Sequence, residues 1–227
     1  MIITKTPFRL SFFGGGTDYP GYFSEHGGCV LSTTIDKYCY ITCRYLPPFF
    51  NHKYRIVYSK IENTKNISEI EHPAVKGVLK YTKNKQGLEI HHDGDLPARS
   101  GLGSSSSFTV GLLNAVNSLA DNRMTKIDLA LGALEIEQNC LGEAVGSQDQ
   151  VSAAYGGLNR INFNTDGTFD VLPVLLSLER KKKFEKNILL FFSGITRFSG
   201  IVAQQKIDNL SKNLEILKRM KDMVDEG

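Results

Sequence analysis

Apolar and polar positions alternate in the first half of the chain and recur at helical spacing in much of the second. Residues 2–4 and 8–13 are short apolar runs on either side of Pro7, and both read as strands. Over residues 37–45, Tyr38, Tyr40, Thr42 and Arg44 alternate with Cys39, Ile41 and Cys43, the period of a half-buried strand. Residues 54–58 and 88–92 read as further strands, and the prolines of 47–51 mark a loop. The period then changes. Phe108, Leu112, Ala115, Val116 and Leu119 share one helical face, predicting an amphipathic helix over about 105–120. A second helix is predicted from Thr125, with Asp128 in the capping-box position. Its apolar stripe is Leu129, Ala133, Ile136 and Cys140, and Gly142 stops it. Residues 157–163 and 169–174 flank an Asp-Gly turn signal within 164–168 and read as a hairpin. Residues 188–192 read as a buried strand, and 199–224 as a long helix whose Leu210, Leu214, Leu217 and Val224 need a surface to pack on. Strands that come first and then interleave with helices predict an α+β fold of two layers.

Composition narrows the function classes. Of 227 residues, 41% are hydrophobic and 22% charged, the balance of an ordinary globular chain. The net charge is only +3 with dispersed basic residues, which gives no footprint for nucleic acid. The run Lys181-Lys182-Lys183 reads as a solvated turn. Four scattered cysteines suit neither a disulfide scaffold nor a zinc site, and the five histidines have no ligand spacing; His91 and His92 fall on opposite faces of a strand. No long apolar run opens the chain, so neither a signal peptide nor a membrane anchor is expected, and a cytoplasmic location is.

The candidate chemistry centres on Leu96-Pro97-Ala98-Arg99-Ser100-Gly101-Leu102-Gly103-Ser104-Ser105-Ser106-Ser107, a glycine-containing loop between a predicted strand and a predicted helix. Gly101 and Gly103 let the backbone approach a ligand, and a helix N-terminus offers unpaired amides and partial positive charge to a polyphosphate. A serine hydroxyl could ligate Mg²⁺ held between phosphates. The competing reading is a serine-rich helix cap, although one serine would suffice for that. No Gly-Lys-Ser/Thr ends the loop, so it is not a Walker loop. The triple glycine before Asp18 reads as a flexible turn, and the carboxylate straight after it could instead accept hydrogen bonds from a ligand's hydroxyls. Asp149, expected in the first turn of a short helix, could accept a proton during in-line phosphoryl transfer; a plain helix N-terminal charge is the alternative.

The stretch Pro97-x-x-x-Gly101-Leu102-Gly103-Ser104-Ser105-Ser106 resembles the second motif of the GHMP kinases, and Pro7 to Tyr19, with Gly14-Gly15-Gly16-Thr17-Asp18, resembles their first. Gly146-Ser147-Gln148-Asp149-Gln150 is similar to the segment bearing the family's catalytic aspartate. The resemblance implies a two-layer N-terminal domain of the ribosomal protein S5 domain 2-like type over residues 1–185, with residues 186–227 beginning an incomplete C-terminal α+β domain. It implies ATP at Pro97, Gly101, Leu102, Gly103, Ser104, Ser105, Ser106 and Ser107. It implies Mg²⁺ at Ser105 and Glu137, with Glu135 and Glu143 as weaker rivals and an exposed helix glutamate as the bland alternative. Asp149 and Arg9 take the catalytic roles. The acceptor falls to Gly15, Gly16, Thr17 and Asp18, with Arg197 for a substrate phosphate, although helix capping by Ser199 explains part of that pattern.

Within the family, the Gly-Gly-Gly-Thr-Asp form, the run from His91 to Gly101 and the Thr196-Arg197 element point to D-glycero-D-manno-heptose 7-phosphate as acceptor and its 1,7-bisphosphate as product. An L-fucokinase or another sugar-1-kinase is the alternative. A catalytically silent relative that binds sugar and ATP would have lost Asp149, Glu137 or Ser105, and all three are present. The expected partner is a small sugar or sugar phosphate, with neither nucleic acid nor membrane, and a homodimer is left open. The family's third, glycine-rich motif is absent from these residues, so this chain alone is expected to turn over weakly or not at all.

Overall fold

One long strand organises the sheet. The computed structural model describes residues 1–98, 100–191, 207 and 209–227. Strand β1 (Ile2–Phe13) pairs antiparallel with β2 (Gly28–Tyr45) along nearly its whole length. The other edge of β2 is shared: β5 (Leu88–Gly94) takes Cys39 to Tyr45 and β6 (Leu158–Phe163) takes Gly28 to Thr33. Strands β3 (Tyr54–Val57) and β4 (Ile61–Thr64) extend the sheet beyond β5, and β7 (Phe169–Pro173) extends it beyond β6. The β3–β5 pair is parallel and all others are antiparallel.

Helices α2 (Pro73–Tyr81), α3 (Ser104–Leu119), α4 (Lys126–Leu134) and α5 (Gln148–Tyr155) form the second layer; α1 (Pro20–His26) follows the triple glycine. Cys39, Ile41 and Cys43 alternate onto the buried face of β2 and meet Leu112, Leu113 and Val116 of α3. This is the expected two-layer α+β arrangement, with the period-2 and period-3.6 stripes facing each other. The capping box at Thr125 and Asp128 forms as predicted.

Several expectations need correcting. Pro7 does not divide β1; the strand runs through it with a bulge between Pro7 and Arg9, which spares the ladder the missing amide. After Leu134 the second helix widens into a π-type segment (Glu135–Cys140). The extra residue per turn rotates the face, so Ile136 and Glu137 turn inward while Cys140 is exposed. Lys181-Lys182-Lys183 is not a turn but lies on an exposed helix, α6 (Leu178–Lys186). Residues 188–191 form no strand, and Leu189, Leu190 and Phe191 are exposed. Apolar character alone could not tell a strand from an uncovered segment there. Of the predicted helix 199–224, residues 199–206 and 208 lie outside the described residues; the regular part is α7 (Leu214–Glu226).

The surface that α7 needs is the triple-glycine turn. Leu217 and Val224 are buried there. A Cβ built at Gly16 would lie 3.1 Å from Leu217 Cδ2, and one at Gly14 would lie 2.9 Å from Val224 Cγ2. Lys221 Nζ donates to His26 O at 2.8 Å, and Arg160 pairs with Asp225.

Candidate active site

Arg9 leaves β1 next to the bulge, a feature that re-aims side chains. Its backbone amide donates to Leu102 O at 3.0 Å and its Nη1 to Gly101 O at 2.9 Å. The same guanidinium holds Asp149: Nε donates to Oδ1 at 2.7 Å, and Nη2 lies 2.6 Å from that oxygen. One side chain thus ties the glycine loop to the first turn of α5, through the stronger, charge-assisted class of hydrogen bond.

The loop closes tightly on this pair. Gly103 is the N-cap of α3 with φ +73°, the left-handed region that glycine enters without a Cβ penalty. A Cβ there would sit 3.3 Å from Arg9 Cγ and 3.4 Å from Asp149 Oδ2. The N-terminus of a sixteen-residue helix and a part-exposed carboxylate therefore face the same small space.

The four serines divide by helical direction. Ser107 is buried and donates to Pro7 O at 2.8 Å, pinning α3 to β1. Ser106 is buried and donates to Glu137 Oε2 at 2.8 Å. Ser105 is exposed in the first turn. The resemblance pairs Ser105 with Glu137, but the structure brings Glu137 to Ser106. Successive residues of a helix differ by about 100° in direction, so only the second of these two faces the interior.

Glu137 is 1% exposed on the π-type segment. Burial pushes its carboxyl up to about 7, against hydrogen bonds from Thr109, Ser106 and Gln150 that favour the charged form. Gln150 Nε2 also donates to Oε2, while Oε1 has no partner. A buried carboxylate oxygen left unsatisfied is costly without a cation or donor. This donor set, with a hydroxyl beside the carboxylate, fits a hard divalent cation such as Mg²⁺.

The triple-glycine segment behaves differently from its sequence reading. Thr17 is fully buried, donates to Gly14 O at 2.8 Å and accepts from Cys29 N at 3.0 Å. Asp18 is 1% exposed, and its oxygens accept from Gly16 N at 2.9 Å and Gln148 N at 3.1 Å. Burial raises its carboxyl above the usual range, against those amide hydrogen bonds. Both side chains turn inward, where their oxygens meet backbone groups of Gly14, Gly16, Cys29 and Gln148. Arg197 and its neighbours Thr196 and Ser199 lie outside the described residues, as does Arg99.

Three residues of this region escaped the sequence reading. Gln150 is fully buried against Glu137. Gln148 Nε2 lies 3.7 Å from where a Cβ on Gly15 would stand. Tyr19 is buried, with its hydroxyl pushed up to about 12 by burial and by Asp18 and Asp149 nearby.

Known proteins share the fold. Residues 70–157 match the model for the GHMP kinases N terminal domain. A D-glycero-alpha-D-manno-heptose 7-phosphate kinase of Campylobacter jejuni is 29% identical over 97% of this chain and 68% of its own length. A galactokinase of Pyrococcus furiosus is 29% identical over 86% of this chain, which spans about half (54%) of that relative. A crystal structure described as a D-glycero-D-manno-heptose 1-phosphate kinase from Bacteriodes thetaiotaomicron aligns with TM-score 0.77 at 26% identity. It covers 97% of this chain and 74% of its own. A mevalonate kinase structure, at 19% identity and TM-score 0.68, shares the fold. Residues 70–157, which carry the glycine loop and Asp149, thus match the GHMP kinases N terminal domain, and the chain is similar over nearly its whole length to kinases of sugar phosphates.

Proposed function

We propose that this chain supplies the nucleotide and acceptor sites of a sugar kinase. Its reaction phosphorylates the anomeric hydroxyl of D-glycero-D-manno-heptose 7-phosphate to the 1,7-bisphosphate. One observation carries the reaction type: Arg9 spans Gly101 and Asp149, with Asp149 Oδ2 against Gly103. A carboxylate placed at the mouth of a phosphate-binding helix N-terminus can take the acceptor hydroxyl's proton as that oxygen attacks the γ-phosphoryl group. Arg9 holds and orients the Asp149 carboxylate, and adds positive charge where negative charge develops. The backbone amides of the glycine loop and the first turn of α3 hold the polyphosphate. Glu137 Oε1, with Ser105 or Ser106, would hold Mg²⁺, which neutralises phosphate charge when bound. The names of the Campylobacter and Bacteriodes proteins support a heptose phosphate acceptor, and Arg197 is the residue we assign to the acceptor's own phosphate. Residues 1–185 are taken as the N-terminal domain and 186–227 as the start of the C-terminal one. Among the described residues no helix is long and apolar enough to cross a membrane, and a cytoplasmic location, where ATP is available, is part of this proposal.

The test is ADP release with heptose 7-phosphate, heptose 1-phosphate, galactose and L-fucose, on a polypeptide extending this chain with the family's C-terminal glycine-rich motif. Preference for heptose 7-phosphate is expected. Activity with fucose alone would overturn the acceptor, and turnover of none of the four would overturn the sugar-kinase reading.

A further inference from the structure

The triple-glycine segment and the segment carrying Asp149 are 130 residues apart in sequence, yet one buried carboxylate joins them. Asp18 Oδ1 accepts from Gly16 N within its own turn, and Oδ2 accepts from the amide of Gln148, the residue immediately before Asp149. The join has a second strand, because Ser147 N donates to Asp18 O at 2.9 Å. It also has a steric signature. A Cβ at Gly146 would lie 2.1 Å from Asp18 Oδ2, so only glycine lets the chain pass the carboxylate this closely. Gln148 itself stands beside Gly15, so the residue before Asp149 is seated on the triple-glycine turn from both its backbone and its side chain.

We infer that Asp18 is a positioning residue: its carboxylate clamps the triple-glycine turn to the start of α5 and so sets where Asp149 stands relative to the acceptor. The inference rests on the kinase reading for its catalytic consequence, but not for the clamp. Asp149 is fixed from two sides. Arg9 holds its carboxylate from the β1 side, and Asp18 holds the backbone one residue before it. Buried carboxylates are costly unless their oxygens are bonded, and here each oxygen receives a backbone amide. A group that contacted the acceptor's hydroxyls would act on acceptor binding. A group that aims the proton acceptor acts on the chemical step, where a displacement of about 1 Å can cost on the order of 100-fold.

The test uses the 227-residue chain and two measurements. Amide hydrogen exchange, read without ligand, reports the clamp. In the wild type the Gly16 and Gln148 amides are expected to exchange slowly; in Asp18→Asn, whose side-chain amide cannot accept at one of the two positions, peptides spanning 14–19 and 144–151 should both lose protection. Fast exchange of both amides in the wild type, or unchanged protection in a folded Asp18→Asn, would overturn the inference. The second measurement is transfer from γ-³²P-labelled ATP to heptose 7-phosphate, sensitive enough for slow turnover. The expected result is a fall in kcat of about 100-fold with little change in acceptor KM or ATP affinity. A raised acceptor KM with kcat retained would instead make Asp18 an acceptor ligand. If Asp18→Asn does not fold, Gly146→Ala tests the same clamp, and the wild-type exchange still decides it. Slow Gly16 and Gln148 exchange together with an extended polypeptide that turns over none of the four acceptors would overturn the kinase reading and uphold the clamp.

Discussion

Gly103→Ala separates catalytic geometry from stability. The substitution adds one methyl group at φ +73°, where an L-residue costs about 1–2 kcal/mol. A melting temperature lower by roughly 2–8 °C follows for a chain of this size. A domain stable by about 5–15 kcal/mol remains more than about 90% folded at 25 °C after that loss. Unfolding therefore removes little activity. The geometric effect is larger, because the new Cβ stands 3.3 Å from Arg9 Cγ and 3.4 Å from Asp149 Oδ2, tight against both. Relief moves either the loop or the ion pair by a few tenths of an ångström, and such a shift can lower turnover by about 10-fold, where 1 Å can cost about 100-fold. The measurements are thermal unfolding and ADP release, both on the kinase polypeptide with saturating substrates. A variant whose kcat stays within about threefold of wild type, or whose loss merely tracks its unfolded fraction, would refute the placement of Asp149 at the phosphate loop.

Other outcomes follow from the same geometry. Asp149→Asn should lower kcat by about 100- to 10,000-fold while ATP binding by calorimetry is retained, and an active variant would demote it as proton acceptor. For Glu137, the folded carboxyl titrates near 7 and the ordinary value is 4.5. Between those values the folded state binds more protons than the unfolded one, so stability falls as pH rises through the window and is constant above it. Glu137→Gln should therefore gain on wild type by about 3 kcal/mol between pH 4.5 and pH 8, read by denaturant melts without Mg²⁺. A difference that does not vary with pH would contradict the burial argument. A thiol reagent should label exposed Cys140 quickly in the native protein, since burial pushes Cys39 and Cys43 up to about 12 and raises Cys29 as well. Rapid labelling of Cys39 or Cys43 would mean that the β2–α3 core opens.

Local chemistry and periodicity carried much of this protein into view. The alternation across Tyr38 to Arg44, the helical stripe from Phe108 to Leu119 and the Thr125–Asp128 cap are short-range patterns, and each formed as expected. The helix α2 was equally legible, with Pro73 at its first turn and Ala74, Val75, Val78 and Leu79 on one face, but went unread. The candidate site was legible as motifs: the loop at 101–107, Arg9, Glu137 and Asp149 can be found from residue type and order. Their pairing could not. Whether Ser105 or Ser106 meets Glu137 depends on a helical phase and on a π-type insertion that shifts the second helix by one residue, which no spacing rule supplies. Whether Asp18 faces a sugar or a backbone depends on Gln148, 130 residues along the chain. Local propensity acts within a turn or two, whereas burial and hydrogen-bond satisfaction are settled by whichever distant segment arrives. The triple glycine shows both. Its composition marks a turn that can pass close to other groups, and only the packed molecule decides that Asp18 fastens it to the start of α5 and that Leu217 and Val224 cover it.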